Sequence, residues 1–198
     1  MKKHFVILAI VLLSSGCATT LQPTALDPQT GYFPTSSKLP ADGIKVKKEF
    51  VSGKYRSLLY VKMEEKNEKY NQFFLKGFTN MNVFQKVADK NQLETLVFER
   101  KLTEKVSSVS DLIGLNNLQK QIGPFLVVEP YVEWKGGYNF EASLKAIDPE
   151  TGETVLHIRN AALNWAGLDQ PLFFPLLNGF LEWTQGKQIT LAPKTDTN

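Results

Sequence analysis

The first pattern along the chain is a basic start, Met1-Lys2-Lys3-His4, followed by an unbroken run of nine apolar residues, Phe5 to Leu13. Small residues come next, Ser14-Ser15-Gly16, and then Cys17. That succession predicts a secretory signal over residues 1–16. The run is too short to span a bilayer, which takes ~20 apolar residues. From Ala18 to Asp42 the periodicity disappears. Pro23, Pro28, Pro34 and Pro40 punctuate a polar stretch, as in a Pro-stiffened tether over residues 17–42. Its expected role is a spacer that holds the body at a distance; the alternative is that its adjacent aromatics, Tyr32 and Phe33 before Pro34, dock on a partner or on the protein's own body.

Regular patterning begins near Gly43 and predicts one α/β domain over 43–187, with a flexible tail over 188–198. Alternating positions predict strands over 44–51 and 55–63. Tyr70, Phe73, Phe74, Gly77 and Phe78 fall on one helical face. A short strand over 82–87 precedes Asp89, placed to cap a helix through Leu93, Leu96 and Val97. Residues 103–114 read as loop, and 115–122 as a short helix stopped by Gly123-Pro124.

Phe125 to Val128 is a continuous apolar run, the mark of a strand covered on both faces. It runs on to Trp134 past Pro130, which implies an edge or a bulge. Residues 138–146 alternate most cleanly of all. A turn over Asp148-Pro149-Glu150-Thr151-Gly152-Glu153 leads to an answering strand over 154–165. A last helix starts at Asp169 or Gln170, with Pro171 in its first turn. The predicted class is α+β, an α/β sandwich. A mixed, mostly antiparallel sheet of about five strands carries the helices.

That last helix carries an unusually wide apolar arc. Leu172, Leu176, Phe180 and Trp183 share one face, Phe173, Leu177 and Leu181 an adjoining one, and Phe174 points elsewhere. Two explanations suit it. One is a helix enclosed between the sheet and another element. The other is a partner-binding surface through Phe173, Phe174, Leu177, Phe180 and Trp183, extended by Trp134 and Trp165.

Composition alters the picture at one point. The 198 residues hold 23 Lys plus Arg against 20 Asp plus Glu, a net charge of +3. Loss of residues 1–16 would remove Lys2 and Lys3, leaving 21 basic side chains against 20 acidic ones. A body so close to neutral does not point to nucleic acid. The single cysteine excludes an internal disulfide and a Cys-rich zinc site.

Leu13-Ser14-Ser15-Gly16-Cys17 resembles the lipobox of bacterial lipoproteins. The resemblance implies acylation of Cys17 as the new amino terminus and, with Ala18 rather than Asp after it, an outer-membrane location facing the periplasm. Several acyl chains anchor a protein stably, at about 0.8 kcal/mol per buried CH₂. The body is similar to the α/β domain of the curli-secretion lipoprotein CsgG and the amino-terminal domain of TolB, with PelC and LPP20-type proteins among the relatives. Val83 to Arg100, Leu118 to Val128 and Ser143 to Val155 carry that likeness. It implies envelope-protein partners and a tendency to form homo-oligomeric rings. No pair of long amphipathic insertions is present that could build membrane hairpins.

Reaction chemistry is sparse. His157 is the one histidine outside the signal, in a strand beside Ile158 and Arg159. Glu129, Glu133 and Glu141 suit the solvent face of a hairpin, and Ser107, Ser108 and Ser110 have no base nearby in sequence. Asp148, Glu150 and Glu153 lack calcium-loop spacing. The expectation is a non-enzymatic envelope component without metal or cofactor, working through protein contacts in assembly, secretion or surface-structure formation. The other reading is a small module holding a lipid or glycan fragment between the last helix and the sheet.

Overall fold

The computed structural model describes residues 21, 24–164 and 167–193. The signal, Cys17 and Trp165 lie outside the described residues. Six strands form one mixed sheet in the order β1-β6-β5-β4-β2-β3. These are β1 (Ile44–Lys47), β2 (Leu58–Val61), β3 (Lys86–Ala88), β4 (Leu126–Gly136), β5 (Asn139–Ile147) and β6 (Thr154–Leu163). The helices are α1 (Ser52–Tyr55), α2 (Asn71–Asn80), α3 (Lys90–Glu99), α4 (Leu112–Ile122) and α5 (Phe174–Thr184). A 3₁₀ turn, Glu65–Tyr70, leads into α2, and a π turn, Asp169–Phe173, leads into α5.

The antiparallel meander β4-β5-β6 is extended by β1 on one side, while β2 and β3 run parallel to β4 on the other. Period-2 alternation divides the central strands between two cores. Leu59 and Val61 of β2, with Leu126 and Val128 of β4, face the larger core, which also holds α2 and α5. Leu58, Tyr60 and Val127 face the smaller one, under Leu93 and Val97 of α3 and Leu115 and Leu118 of α4. Phe125 to Val128 is thus buried on both sides, as its unbroken apolarity required. Beyond β4 the second face carries Ser143, Lys145, His157 and Arg159 toward solvent, matching the alternation of the meander.

Local signals hold where local chemistry decides. Asp89 caps α3 in a full capping box: its carboxylate accepts from the Gln92 amide at 2.9 Å, and its own N–H donates to Gln92 Oε1 at 3.0 Å. Gly152 takes φ +72° in the turn after β5, where its N–H donates to the Asp148 carbonyl at 2.8 Å. Asp148 is 3% exposed and accepts from Lys54 Nζ at 2.6 Å and Tyr55 Oη at 3.0 Å. Burial works against the Lys54 charge, yet Asp148 and Glu150 hold its pKa above the ordinary lysine range. Burial first, then Asp148, pushes the Tyr55 phenol up to about 12. This cluster locks α1 onto the hairpin turn.

Several boundaries differ from the sequence reading. The 55–63 alternation contains the end of α1, then β2, because Tyr55 turns inward to Asp148 before pairing begins at Leu58. β3 starts at Lys86, since parallel pairing with β2 begins at Leu58↔Lys86. α4 starts three residues earlier than the 115 expected, at Leu112, with Asp111 accepting from Gly114 N at 2.9 Å as its cap. Pro130 lies beyond the last rung between β4 and β2, where its missing N–H breaks no pairing.

The expected spacer is the largest difference. Of the roles open to Tyr32-Phe33-Pro34, packing on the body is the one observed. Phe33 and Leu39 are each 1% exposed and belong to the larger core, with Leu21, Leu26 and Tyr32 packed against it. Leu39 also bridges to Leu191 in parallel, and Ala192 N–H donates to the Leu39 carbonyl at 2.7 Å. The stretch up to Leu39 is a strap on the body.

Candidate functional site

The residues expected to form a partner surface on the last helix are enclosed. Phe173, Phe174, Leu177 and Phe180 are 0% exposed, and Trp183 is 1% exposed. Burial therefore corrects the open-surface reading: this helix is sandwiched, the other explanation its wide arc allowed. Phe173 packs its ring 5.0 Å from Phe73 and 5.3 Å from Phe74 of α2. Phe180 meets Phe78 at 5.0 Å, and Trp183 meets Phe50 at 5.0 Å. A Cβ at Gly179 would lie 3.4 Å from Ile158 Cδ1 of β6 and 2.8 Å from Leu39 Cδ1 of the strap. Helix and sheet are in direct contact there, where the alternative reading placed a lipid or glycan.

The strap supplies the fourth wall. Phe33 stacks on Phe174 with ring centroids 5.4 Å apart and an interplanar angle of 23°. Its N–H donates to Asn178 Oδ1 at 2.8 Å and its carbonyl accepts from Asn178 Nδ2 at 2.9 Å. Four residues on, the buried Glu182 accepts from Thr190 N and Oγ1, both at 2.7 Å. Trp183 Nε1 donates to the Lys48 carbonyl at 2.7 Å. Asn178 and Glu182 thus staple the strap at Phe33 and the stretch at Thr190, expected from sequence to lie in a flexible tail, to α5. The sequence reading missed this pair, although two polar residues at i and i+4 in an otherwise apolar helix signal that something polar packs on that side.

The acidic and basic side chains on the open sheet face neutralise one another. Glu129 bridges Lys62 at 2.8 Å and Lys145 at 3.4 Å, and Lys135 bridges Glu133 at 2.7 Å and Glu141 at 3.7 Å. Arg159 lies 3.9 Å from Glu141 and also holds Asp42. Among the described residues no group of three or more His, Cys, Asp or Glu could hold a metal ion. Ser108 Oγ accepts from Ser110 N at 2.9 Å, a loop contact beside the cap of α4.

His157 sits on β6 opposite Lys145 of β5 and Val46 of β1. Burial, then the charges of Lys145, Lys45 and Arg159, lowers its pKa, so folding favours the neutral ring. As pH falls through the unfolded value of about 6.5, the unfolded chain takes up the proton more readily and stability is lost. His157→Gln is expected to flatten that loss. Thermal melts at about pH 7.5 and about pH 5 should show the variant gaining on the wild type at the lower value.

Exposed apolar side chains gather elsewhere. Trp134, Tyr138 and Leu163, 63%, 57% and 50% exposed, mark the far end of the β4-β5-β6 meander. Phe98 and Ile113, each 76% exposed, stand on the outer sides of α3 and α4. Beside the meander lies a groove of about 360 Å³ between the 3₁₀ turn and β4, lined by Lys66, Asn67, Tyr70, Tyr131, Val132 and Trp134 among others.

No family model and no curated protein matches this sequence. Solved structures do overlap with it. The C-terminal domain of LpoB from Salmonella enterica is 14% identical, covering 56% of this chain and 85% of its own, with a TM-score of 0.38. Lipoprotein GNA1162 from Neisseria meningitidis is 13% identical over 60% of this chain and 86% of its own, with a TM-score of 0.36. The PelC dodecamer from Paraburkholderia phytofirmans is 10% identical over 62% of this chain and 79% of its own, with a TM-score of 0.35.

Proposed function

We propose that the protein is an outer-membrane lipoprotein, anchored through Cys17, whose CsgG- and TolB-N-like body faces the periplasm. It works without catalysis, through protein contacts, in an envelope assembly, secretion or surface-structure system. The observation that carries this reading is the lipobox-like Leu13-Ser14-Ser15-Gly16-Cys17 behind a basic, apolar leader. Among the described residues no helix is long and apolar enough to cross a membrane; several acyl chains on Cys17 would be enough to hold the protein at a bilayer. On the sheet face Glu129 and Lys135 are held in ion pairs, and His157 is flanked by Lys145, Lys45 and Arg159.

The strap gives the anchor a mechanical meaning. A free tether over residues 17–42 would reach ~90 Å at full extension. Leu21 already packs against the core, four residues after Cys17, which limits the lead to ~14 Å. The body is then held close to the lipid surface and presents a fixed side to it. Partners are met at the membrane, not at the end of a long spacer.

Replacing the cysteine tests the reading. Cys17→Ala is expected to abolish palmitate labelling and move the protein from the membrane fraction to the soluble one, or leave it unprocessed. A variant that fractionates with the outer membrane as the wild type does would refute lipid anchoring.

A further inference from the structure

β4 is longer than its neighbour. β2 pairs with it only from Leu126 to Val128, and the Lys62 N–H donating to the Val128 carbonyl at 2.8 Å is the last rung. On the opposite side β4 stays paired with β5 as far as Gly136↔Asn139. The Val128 carbonyl points to the β2 side, so the period of two turns the backbone groups of Pro130, Val132 and Trp134 to that side too. Among the described residues none of these groups has a hydrogen-bond partner there. Pro130 has no N–H to offer, which leaves the donors of Val132 and Trp134 and the carbonyls of all three.

The free edge is one wall of the groove beside the 3₁₀ turn, and the groove has its own chemistry. Tyr70, Val132, Trp134 and Phe140 make an apolar side. Asn67 also lines it, at 2% exposure, and its Nδ2 has no partner among the described residues. Two cations stand on the rim. Lys66 lies 4.5 Å from the Tyr131 ring and bridges Glu64, while Lys69 lies 5.0 Å from the Tyr70 ring and has no carboxylate partner among the described residues. Glu133, the acidic residue of the lining, is already held by Lys135 at 2.7 Å.

We propose that this groove binds an extended segment of a partner protein, which adds to the sheet as a strand beside β4. Main-chain bonds go to Val132 and Trp134. Alternate side chains of the segment are apolar, toward Tyr70 and Trp134, and acidic, toward Lys66 and Lys69. Pro130 closes one end of the edge, which limits indiscriminate strand pairing. Calling the occupant a partner protein rests on the reading of the molecule as a contact component. The binding itself does not depend on membrane location, so the two can fail separately.

The test uses the full chain in detergent micelles and two short synthetic peptides, one alternating valine with glutamate and one alternating valine with lysine. The glutamate peptide is expected to bind saturably, below about 1 mM, and to slow amide exchange at Val132 and Trp134 at least about tenfold. Lys69→Glu should weaken it about tenfold and shift preference to the lysine peptide. Val132→Pro, which removes a donor on the open side, should abolish binding; should that variant misfold, Lys69→Glu decides. Absence of saturable binding overturns the proposal, as does equal binding of both peptides by wild type and Lys69→Glu. So does a dimer by light scattering whose edge amides are protected without peptide, because a second copy would then hold the edge.

Discussion

Phe174→Glu is expected to unfold the body, not to sever a partner contact while leaving the fold intact. The side chain is 0% exposed, stacked on Phe33 at 5.4 Å and 6.2 Å from the Phe73 ring. Removing a buried phenylalanine costs about 3–5 kcal/mol in lost burial and residual cavity. A carboxylate there has no basic partner within the aromatic cluster, which adds a further desolvation cost or forces the group to stay protonated. The sum reaches the range of a whole domain's stability, about 5–15 kcal/mol. Circular dichroism and thermal melting should show loss of the cooperative transition. Trp134→Glu, at a position 63% exposed, is the control and should melt within about 0.5 kcal/mol of the wild type. A Phe174→Glu protein that melts normally would contradict the packing described for α5.

Phe33→Ala is expected to release the strap from α5. The residue contributes a stacked ring on Phe174 and a reciprocal pair of hydrogen bonds with Asn178, at 2.8 and 2.9 Å. Truncation keeps the backbone bonds but removes the ring, at about 3 kcal/mol, the low end of such changes because a terminal segment can lift away. That is about a hundredfold in the population of the undocked strap, since 1.4 kcal/mol is tenfold. Limited proteolysis between Thr24 and Lys38 should accelerate accordingly, and the uncovered ring of Phe174 should bind a hydrophobic dye. The sheet and α2 should keep their protection from hydrogen exchange. Equal cleavage rates in variant and wild type would mean the strap contributes little to closing this face.

These two results bear on the proposed anchor as well. Under the proposed anchoring through Cys17, a docked strap would tie the orientation of the body to the attachment point, because Leu21 is already in contact with the core. A released strap restores tens of ångströms of slack between Cys17 and the body, by the reach of an extended chain. Under the proposed anchoring through Cys17, Phe33 would set how near the lipid surface the body works, in addition to covering α5.

Most of the architecture was legible in the sequence, because it depends on neighbours along the chain. The strands expected over 138–146 and 154–165 became β5 and β6, the unbroken Phe125 to Val128 run became a strand buried on both faces, and Asp89 became the cap of α3. Glu129, Glu133 and Glu141 lie on the open face of the hairpin, as their spacing suggested; that they are ion-paired there is seen only in the structure. Asp111 was an overlooked cap, and reading it would have started α4 at the observed residue.

What the sequence determined by itself is what local chemistry dictates: the period of each strand and helix and the residues that cap and turn them. Tertiary structure alone decided where surfaces lie. An apolar arc is identical whether a partner or the chain itself covers it, and only the meeting of Phe33 with Phe174 and Asn178, about 140 residues apart, shows that this chain covers its own. The free edge of β4 is equally invisible along the chain, because it exists only where β2 stops at Val61 and β4 runs on. Burial and pairing are properties of contacts distant in sequence, which no periodicity records.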